Sequence, residues 1–265
     1  MPPQYLYKYL EINPGSLNAI RDATLKFTLP KDFNDPFDCL ASYSDEYINR
    51  SIKAQGAYLY RAKGNKKLSP ANRLKAEGRA KRRARFNTLN GGVFSPIRDG
   101  DIGVLSLSSN KDNLLMWSHY CRNHTGFVLQ FEPVWFGLRK NLEDRNIVLE
   151  ELVALEVMYS IERPVLNGLE DNSLKLDKLL LTKSSDWAYE SEFRVIDNVR
   201  KSGIHPYKRE LLKGVYAGAK INSEELQSLK DTVTEANSNH SLNIKLFQMQ
   251  LQANSFSLKE HEIQL

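Results

Sequence analysis

The chain has 265 residues, 41% of them hydrophobic, which is enough apolar material for one packed body and argues against disorder throughout. Its apolar runs fall short of the roughly 20 residues a membrane span needs, and its first ten residues lack the basic-then-apolar layout of a secretion signal. A cytoplasmic protein with no membrane partner is therefore expected, and its net charge of +5 is local: residues 61–86 carry eleven Lys or Arg against Glu77 alone.

In chain order, the aromatic-rich stretch 5–10 reads as a strand that stops at the turn residues Asn13, Pro14 and Gly15. Ser16 is placed to cap a helix over 16–22, and a second strand over 24–28 ends before Pro30. Asn34, Asp35, Pro36 and Asp38 favour side-chain-to-backbone turns, so 32–39 reads as a packed loop anchored by Phe33 and Phe37. Residues 45–90 read as a helical insertion that holds the basic run. Alternation over 103–108 marks a strand with Ser106 and Ser108 on one side.

A helix capped by Asp112 then carries Leu114 to Tyr120, and the strand 127–131 follows. Further strands fit 153–159, 190–196, 214–217 and 244–252, with helices near 174–182 and 223–235. Regular βα alternation, a glycine-rich phosphate loop and internal repeats are not found in the sequence. The expected fold is thus α+β, a single domain over 1–265 with a mixed or antiparallel sheet and the helical basic insertion within it. Cys39 and Cys121 stand too far apart for a zinc pair or a disulfide framework, so buried reduced thiols are expected.

Three constellations can carry chemistry. On a strand over 190–196, Glu190, Glu192 and Arg194 share one face. That face is either solvated and paired across strands, or part of a cleft in which one carboxyl pKa rises and Arg194 keeps the other ionised. Ser106 and Ser108 lead into Trp117, His119, Tyr120 and His124. Trp117 and Tyr120 at i, i+3 spacing suit a core or a stacking platform, and the two histidines lack helical metal-pair spacing, so no metal is expected there. Asn34, Asp35 and Asp38 form either a loop lock or a source of carboxylates, while Lys8 beside Tyr7 places a cation and a phenol on the first strand.

The basic run supplies Arg73, Lys75, Arg79, Lys81, Arg82, Arg83 and Arg85 along one helix, which is either a solvated face or a phosphate-binding one. Two alternatives follow from the charges. One is a Mg²⁺-dependent nuclease holding its ion with Asp35, Asp38, Glu190 and Glu192. The other is a non-enzymatic module that binds nucleic acid through the insertion.

Taken together, Leu6-Tyr7-Lys8-Tyr9, Phe33-Asn34-Asp35-Pro36-Phe37-Asp38, Leu105-Ser106-Leu107-Ser108, Leu115-Met116-Trp117-Ser118-His119-Tyr120 with His124 and Gly126, and Trp187-Ala188-Tyr189-Glu190-Ser191-Glu192-Phe193-Arg194 resemble the bacterial family catalogued as domain of unknown function 2971. A polar residue on the first strand, a Ser-x-Ser strand and a late Glu-x-Glu are also similar in order to the ADP-ribosyltransferase superfamily, which includes toxins that modify nucleic acid. Where that superfamily has Arg or His on the first strand, this chain has Tyr7 and Lys8.

The second resemblance implies an NAD-consuming enzyme in which Glu192 is the catalytic glutamate, Glu190 serves the acceptor and Ser106 supports the nicotinamide ribose. It implies roles for Tyr7, Lys8, Asn34, Ser108, Trp117, Tyr120 and Arg194 around NAD, a nucleic-acid or protein acceptor, and a place in toxin or phage-defence systems. The chemistry is coherent: cleavage of the nicotinamide glycosidic bond develops oxocarbenium charge, which a carboxylate stabilises without a metal.

Overall fold

A computed structural model describes residues 2–50, 53, 68–89, 102–135, 150–169 and 172–265. The chain divides into two compact units, the first made of Met1–Phe33, Gly100–Val157 and Asp186–Leu265, the second of Asn34–Asp99 and Met158–Ser185.

In chain order the strands are β1 (Leu6–Leu10), β2 (Thr24–Phe27), β3 (Ser42–Tyr43), β4 (Gly103–Ser108), β5 (Phe127–Phe131), β6 (Leu155–Glu156) and β7 (Met158–Ser160). They continue with β8 (Val165–Leu166), β9 (Thr182–Ser184), β10 (Glu192–Asp197), β11 (Gly203–Pro206), β12 (Leu212–Ala217), β13 (Lys245–Leu251) and β14 (Leu258–Ile263). The helices are α1 (Pro14–Arg21), α2 (Pro70–Leu89), α3 (Leu114–Tyr120), α4 (Asn172–Leu180) and α5 (Ser223–His240).

The first unit is built on one eight-stranded mixed sheet of order β14-β13-β12-β5-β1-β4-β10-β6. Only β12 and β13 run parallel within it, as the intervening α5 allows, since a parallel pair needs a long crossover. Because side chains alternate across a strand, each strand feeds two cores. Leu6, Leu105, Leu107, Phe127, Leu129, Phe131, Phe193 and Val195 face Leu17 and Ile20 of α1 and Leu229 and Val233 of α5. On the opposite face Tyr7, Tyr9, Val128, Tyr216 and Met249 meet Met116 and Trp117 of α3. The α+β class with a mixed sheet is therefore as the residue patterns imply.

Local chemistry sets the helix ends. Asn13, not Ser16, caps α1: its Oδ1 accepts from Ser16 N at 2.9 Å while Ser16 Oγ accepts from Asn13 N at 3.0 Å, a reciprocal box with Pro14 inside the first turn. Asn113, not Asp112, caps α3, accepting from Leu115 N and Met116 N. The expected strand 153–159 is split into β6 and β7, which belong to different units, and the hairpin partner β14 carries no alternation to announce it.

The second unit holds two short parallel pairs, β3 with β8 and β7 with β9, and the helices α2 and α4. Arg163 clamps its loop by donating to the Leu40 and Ala41 carbonyls, and Asp38 pairs with the equally buried Lys183 at 3.7 Å. Of the helical insertion expected over 45–90, residues 45–50 and α2 are helical, while 51–52, 54–67 and 90 lie outside the described residues. Both cysteines are buried and neither is in a disulfide. Among the described residues no helix is long and apolar enough to cross a membrane.

A close approach of backbones joins α3 to the sheet at Gly126. A Cβ there would overlap the Leu10 carbonyl oxygen and lie 3.0 Å from Cys121 Cα, neither of which can swing aside. Gly126→Ala is expected to cost about 3 kcal/mol or more, lowering Tm by roughly 6–12 °C. Thermal denaturation followed by circular dichroism checks this, and an unchanged Tm would show that the junction yields.

Candidate functional site

Antiparallel register places one polar row across the middle of the sheet. Gln130 on β5 faces Tyr7 on β1, Tyr7 faces Ser108 on β4, and Ser108 faces Glu192 on β10. In the next row Ser106 faces Arg194. Partners in register share a face, so these side chains lie on the α3 side, and three adjacent strands separate Tyr7 from Glu192 by only about 10 Å of backbone.

At the end of the row sits a buried ion pair. Arg194, with no exposed surface, donates through Nε to Glu192 Oε1 at 2.8 Å and through Nη2 to Oε2 at 3.0 Å, a bidentate contact between residues two apart on one strand. Its guanidinium carbon also lies 5.2 Å from the Phe33 ring centroid, a cation–π contact. Such a pair is stabilising mainly in the sense that losing one partner strands the other charge in a dry interior.

Glu190 is not on that strand. It ends a 3₁₀ turn, Ser185–Glu190, and Ser191 adopts φ 46°, which turns the chain before β10 starts at Glu192. The expected common face of Glu190, Glu192 and Arg194 thus holds for Glu192 and Arg194 only, because a left-handed residue breaks the two-residue alternation. Glu190 is nevertheless buried, and Tyr120 Oη donates to its Oε1 at 2.5 Å. Ser108 Oγ donates to the Glu190 carbonyl at 2.6 Å and accepts from Asn110 N, so it ties the end of β4 to the carboxylate segment. Asn113 adds a second tie, from Nδ2 to the Tyr189 carbonyl.

Lys8 fills a break in the sheet. Thr28 and Val104 exchange both backbone hydrogen bonds, so on β4 the groups of Val104, and by alternation those of Ser106, point away from β10. β1 meets β4 at the single register pair Tyr7 and Ser108, and Lys8 Nζ donates to the Ser106 carbonyl at 3.0 Å. Burial pushes the Lys8 ammonium down to about 8, against the pull of Glu192 and Glu190, which favour its charge. The Ser106 hydroxyl, in the row with Arg194, makes no hydrogen bond among the described residues.

The remaining expected site residues are distributed as follows. Trp117 is fully buried; its indole N–H donates to the Lys111 carbonyl and its ring meets Tyr9 edge-on and His124 in a stack, so it builds the core and offers no open face for stacking. Tyr7 is buried, with Gln130 Nε2 donating to its hydroxyl at 3.4 Å, and burial raises its pKa. Asn34, Asp35 and Asp38 belong to the second unit, where Asp35 Oδ1 accepts from Phe37 N and Asp38 pairs with Lys183. Among the described residues no group of three or more His, Cys, Asp or Glu is gathered as a metal ion would need. The seven basic residues lie on α2 of the second unit.

Residues that pattern reading does not single out as partners are Phe33, Asn113 and Tyr189. Tyr189 packs its ring edge-on to His119 at 6.2 Å and tilted to Trp187 at 6.0 Å, an aromatic wall beside Glu190. Asn113 has a legible signal, an Asn immediately before an apolar helical run.

The folded Lys8 titrates below its ordinary 10.5, so its burial penalty is complete below pH 8 and fades as the pH climbs towards 10.5. Native stability should therefore rise relative to Lys8→Met across that window by on the order of 3 kcal/mol. Urea melts of both proteins from pH 7 to pH 10 measure the difference; parallel curves would show that the ammonium is solvated.

Residues 116–195, from within α3 to the middle of β10, match the model of a family described as protein of unknown function (DUF2971). No curated protein and no solved structure matches the chain. The matched segment contains Tyr120, Glu190, Glu192 and Arg194.

Proposed function

We propose that this chain is an NAD-consuming, ADP-ribosyltransferase-like enzyme that cleaves the nicotinamide glycosidic bond, with Glu192 beneath the reacting ribose. The observation that supports the reading best is the pair of buried carboxylates, Glu190 and Glu192, held in different ways on either side of the left-handed Ser191. A carboxylate clamped by a guanidinium stays ionised in a dry site, and each of its oxygens keeps a second lone pair. That negative charge is what an oxocarbenium-like transition state requires as the bond from C1 of the ribose to nicotinamide breaks and nicotinamide leaves with the bonding electrons.

Glu190, with Tyr120 as its hydrogen-bond donor, is the residue that receives a proton from the incoming acceptor, whether nucleic acid, protein or water; such a step is worth roughly 10²- to 10⁴-fold. Ser106, beside Arg194, supports a ribose hydroxyl, and the aromatic wall of Tyr189, Trp187 and His119, with Tyr120 beside His119, suits a flat ring. A role in toxin action or phage defence is implied only by the resemblance to the ADP-ribosyltransferase superfamily and belongs to the same proposal.

The test follows nicotinamide release from NAD by the purified chain, with and without chelator and with RNA, DNA or protein acceptors. Release should survive chelator. It should fall at least 100-fold in Glu192→Gln and about tenfold in Tyr120→Phe, which keeps its ring but cannot orient Glu190. Because Glu192→Gln leaves the Arg194 charge uncompensated, the folding of that variant is checked by circular dichroism, and Tyr120→Phe remains informative if it fails to fold. Absence of release under every condition, or chelator-sensitive loss of nucleic acid instead, would overturn the reading.

A further inference from the structure

The basic helix takes no part in that chemistry, and four of its seven basic residues share one face with an aromatic ring. At about 100° per residue, Lys75, Arg79, Arg82, Arg83 and Phe86 of α2 fall within one arc of roughly 100°. All five are exposed, Phe86 by 66%. Among the described residues no carboxylate pairs with Lys75, Arg79, Arg82 or Arg83, while Arg85 pairs with Asp45 on the flank, open to solvent. Like charges at i, i+3 and i, i+4 weaken a helix by a few tenths of a kcal/mol per pair, a cost that a polyanion laid along the face would reverse.

We propose that this face of α2 docks single-stranded nucleic acid, the four cations tracking phosphates and Phe86 stacking on an unpaired base. The charges alone suit any polyanion; the aromatic ring in the same arc selects bases that are not already stacked in a duplex. A lipid surface fits less well. A membrane-lying helix needs a continuous apolar face, and among the described side chains the other large exposed apolar residue of α2, Leu74, lies about 120° round the helix from Phe86. The inference stands apart from the NAD reading, since it concerns binding and needs no turnover.

Fluorescence anisotropy of a labelled single-stranded RNA oligonucleotide, titrated with the full chain over a range of salt, tests it. Four phosphate contacts predict a log–log salt slope of roughly −3, and Arg79→Ala/Arg82→Ala/Arg83→Ala should reduce it to about −1 with helicity and Tm retained. Phe86→Ala should weaken binding about tenfold at fixed salt without changing the slope. If the triple variant fails to fold, Arg82→Gln alone should still flatten the slope by about 0.7. An unchanged slope in these variants, equal or tighter binding to a duplex of the same length, or preference for anionic phospholipid vesicles over the RNA would each overturn the proposal.

Discussion

Arg194 is the constraint around which the first unit is arranged. A guanidinium with no exposed surface must have its donors met inside the protein, and Glu192 meets two of them from the same strand face while Phe33 lends its ring. The pair lies at the very start of β10. Glu192 is the first strand residue, its carboxylate reaching onward along the strand to Arg194, and Ser191 takes a left-handed conformation between the preceding 3₁₀ turn and the strand. The placement of Glu190 follows from the same turn.

The sheet is least uniform where its polar row crosses. β4 is zipped to β10 over six residues but touches β1 at one register pair, and Lys8 takes the Ser106 carbonyl left open there. An ammonium in that gap does for the backbone what a neighbouring strand would otherwise do, and its depressed pKa is the cost of the burial. The gap brings a titratable cation to the same neighbourhood as two buried carboxylates, which favour its charged form. Tyr7, Ser108 and Glu192 are joined by register alone, three strands that are far apart in sequence.

On the α3 side, packing and chemistry use the same short segment. Met116 and Trp117 point into the core while Tyr120, one turn on, reaches Glu190. The helix then ends in three consecutive left-handed residues, Arg122, Asn123 and His124, before Gly126 admits the Leu10 carbonyl at a distance no side chain would allow. A segment held this tightly gives Tyr120 little freedom, which is what a group that orients a carboxylate needs.

The elements whose boundaries could be read from residues alone are those governed by short-range rules. β4 and β5 begin and end where alternation says, and α1 and α3 begin within a residue or two of the expected caps, the choice of Asn13 over Ser16 and Asn113 over Asp112 being settled by which side chain reaches a free amide. The α+β class, the two reduced cysteines and the concentration of positive charge on one helix were determined by the sequence in the same sense, because each depends on composition or on neighbours a few positions away. Tertiary structure decided the rest. Glu190 left the strand because Ser191 turns, Trp117 became core because Tyr9 and His124 enclose it, and Asp35 and Asp38 fell in a different unit from Glu192. Apart from the local turn at Ser191, the outcomes depend on partners tens of residues away, such as Tyr9 beside Trp117, and no periodicity within a strand or helix encodes which distant side chain will occupy the space beside it.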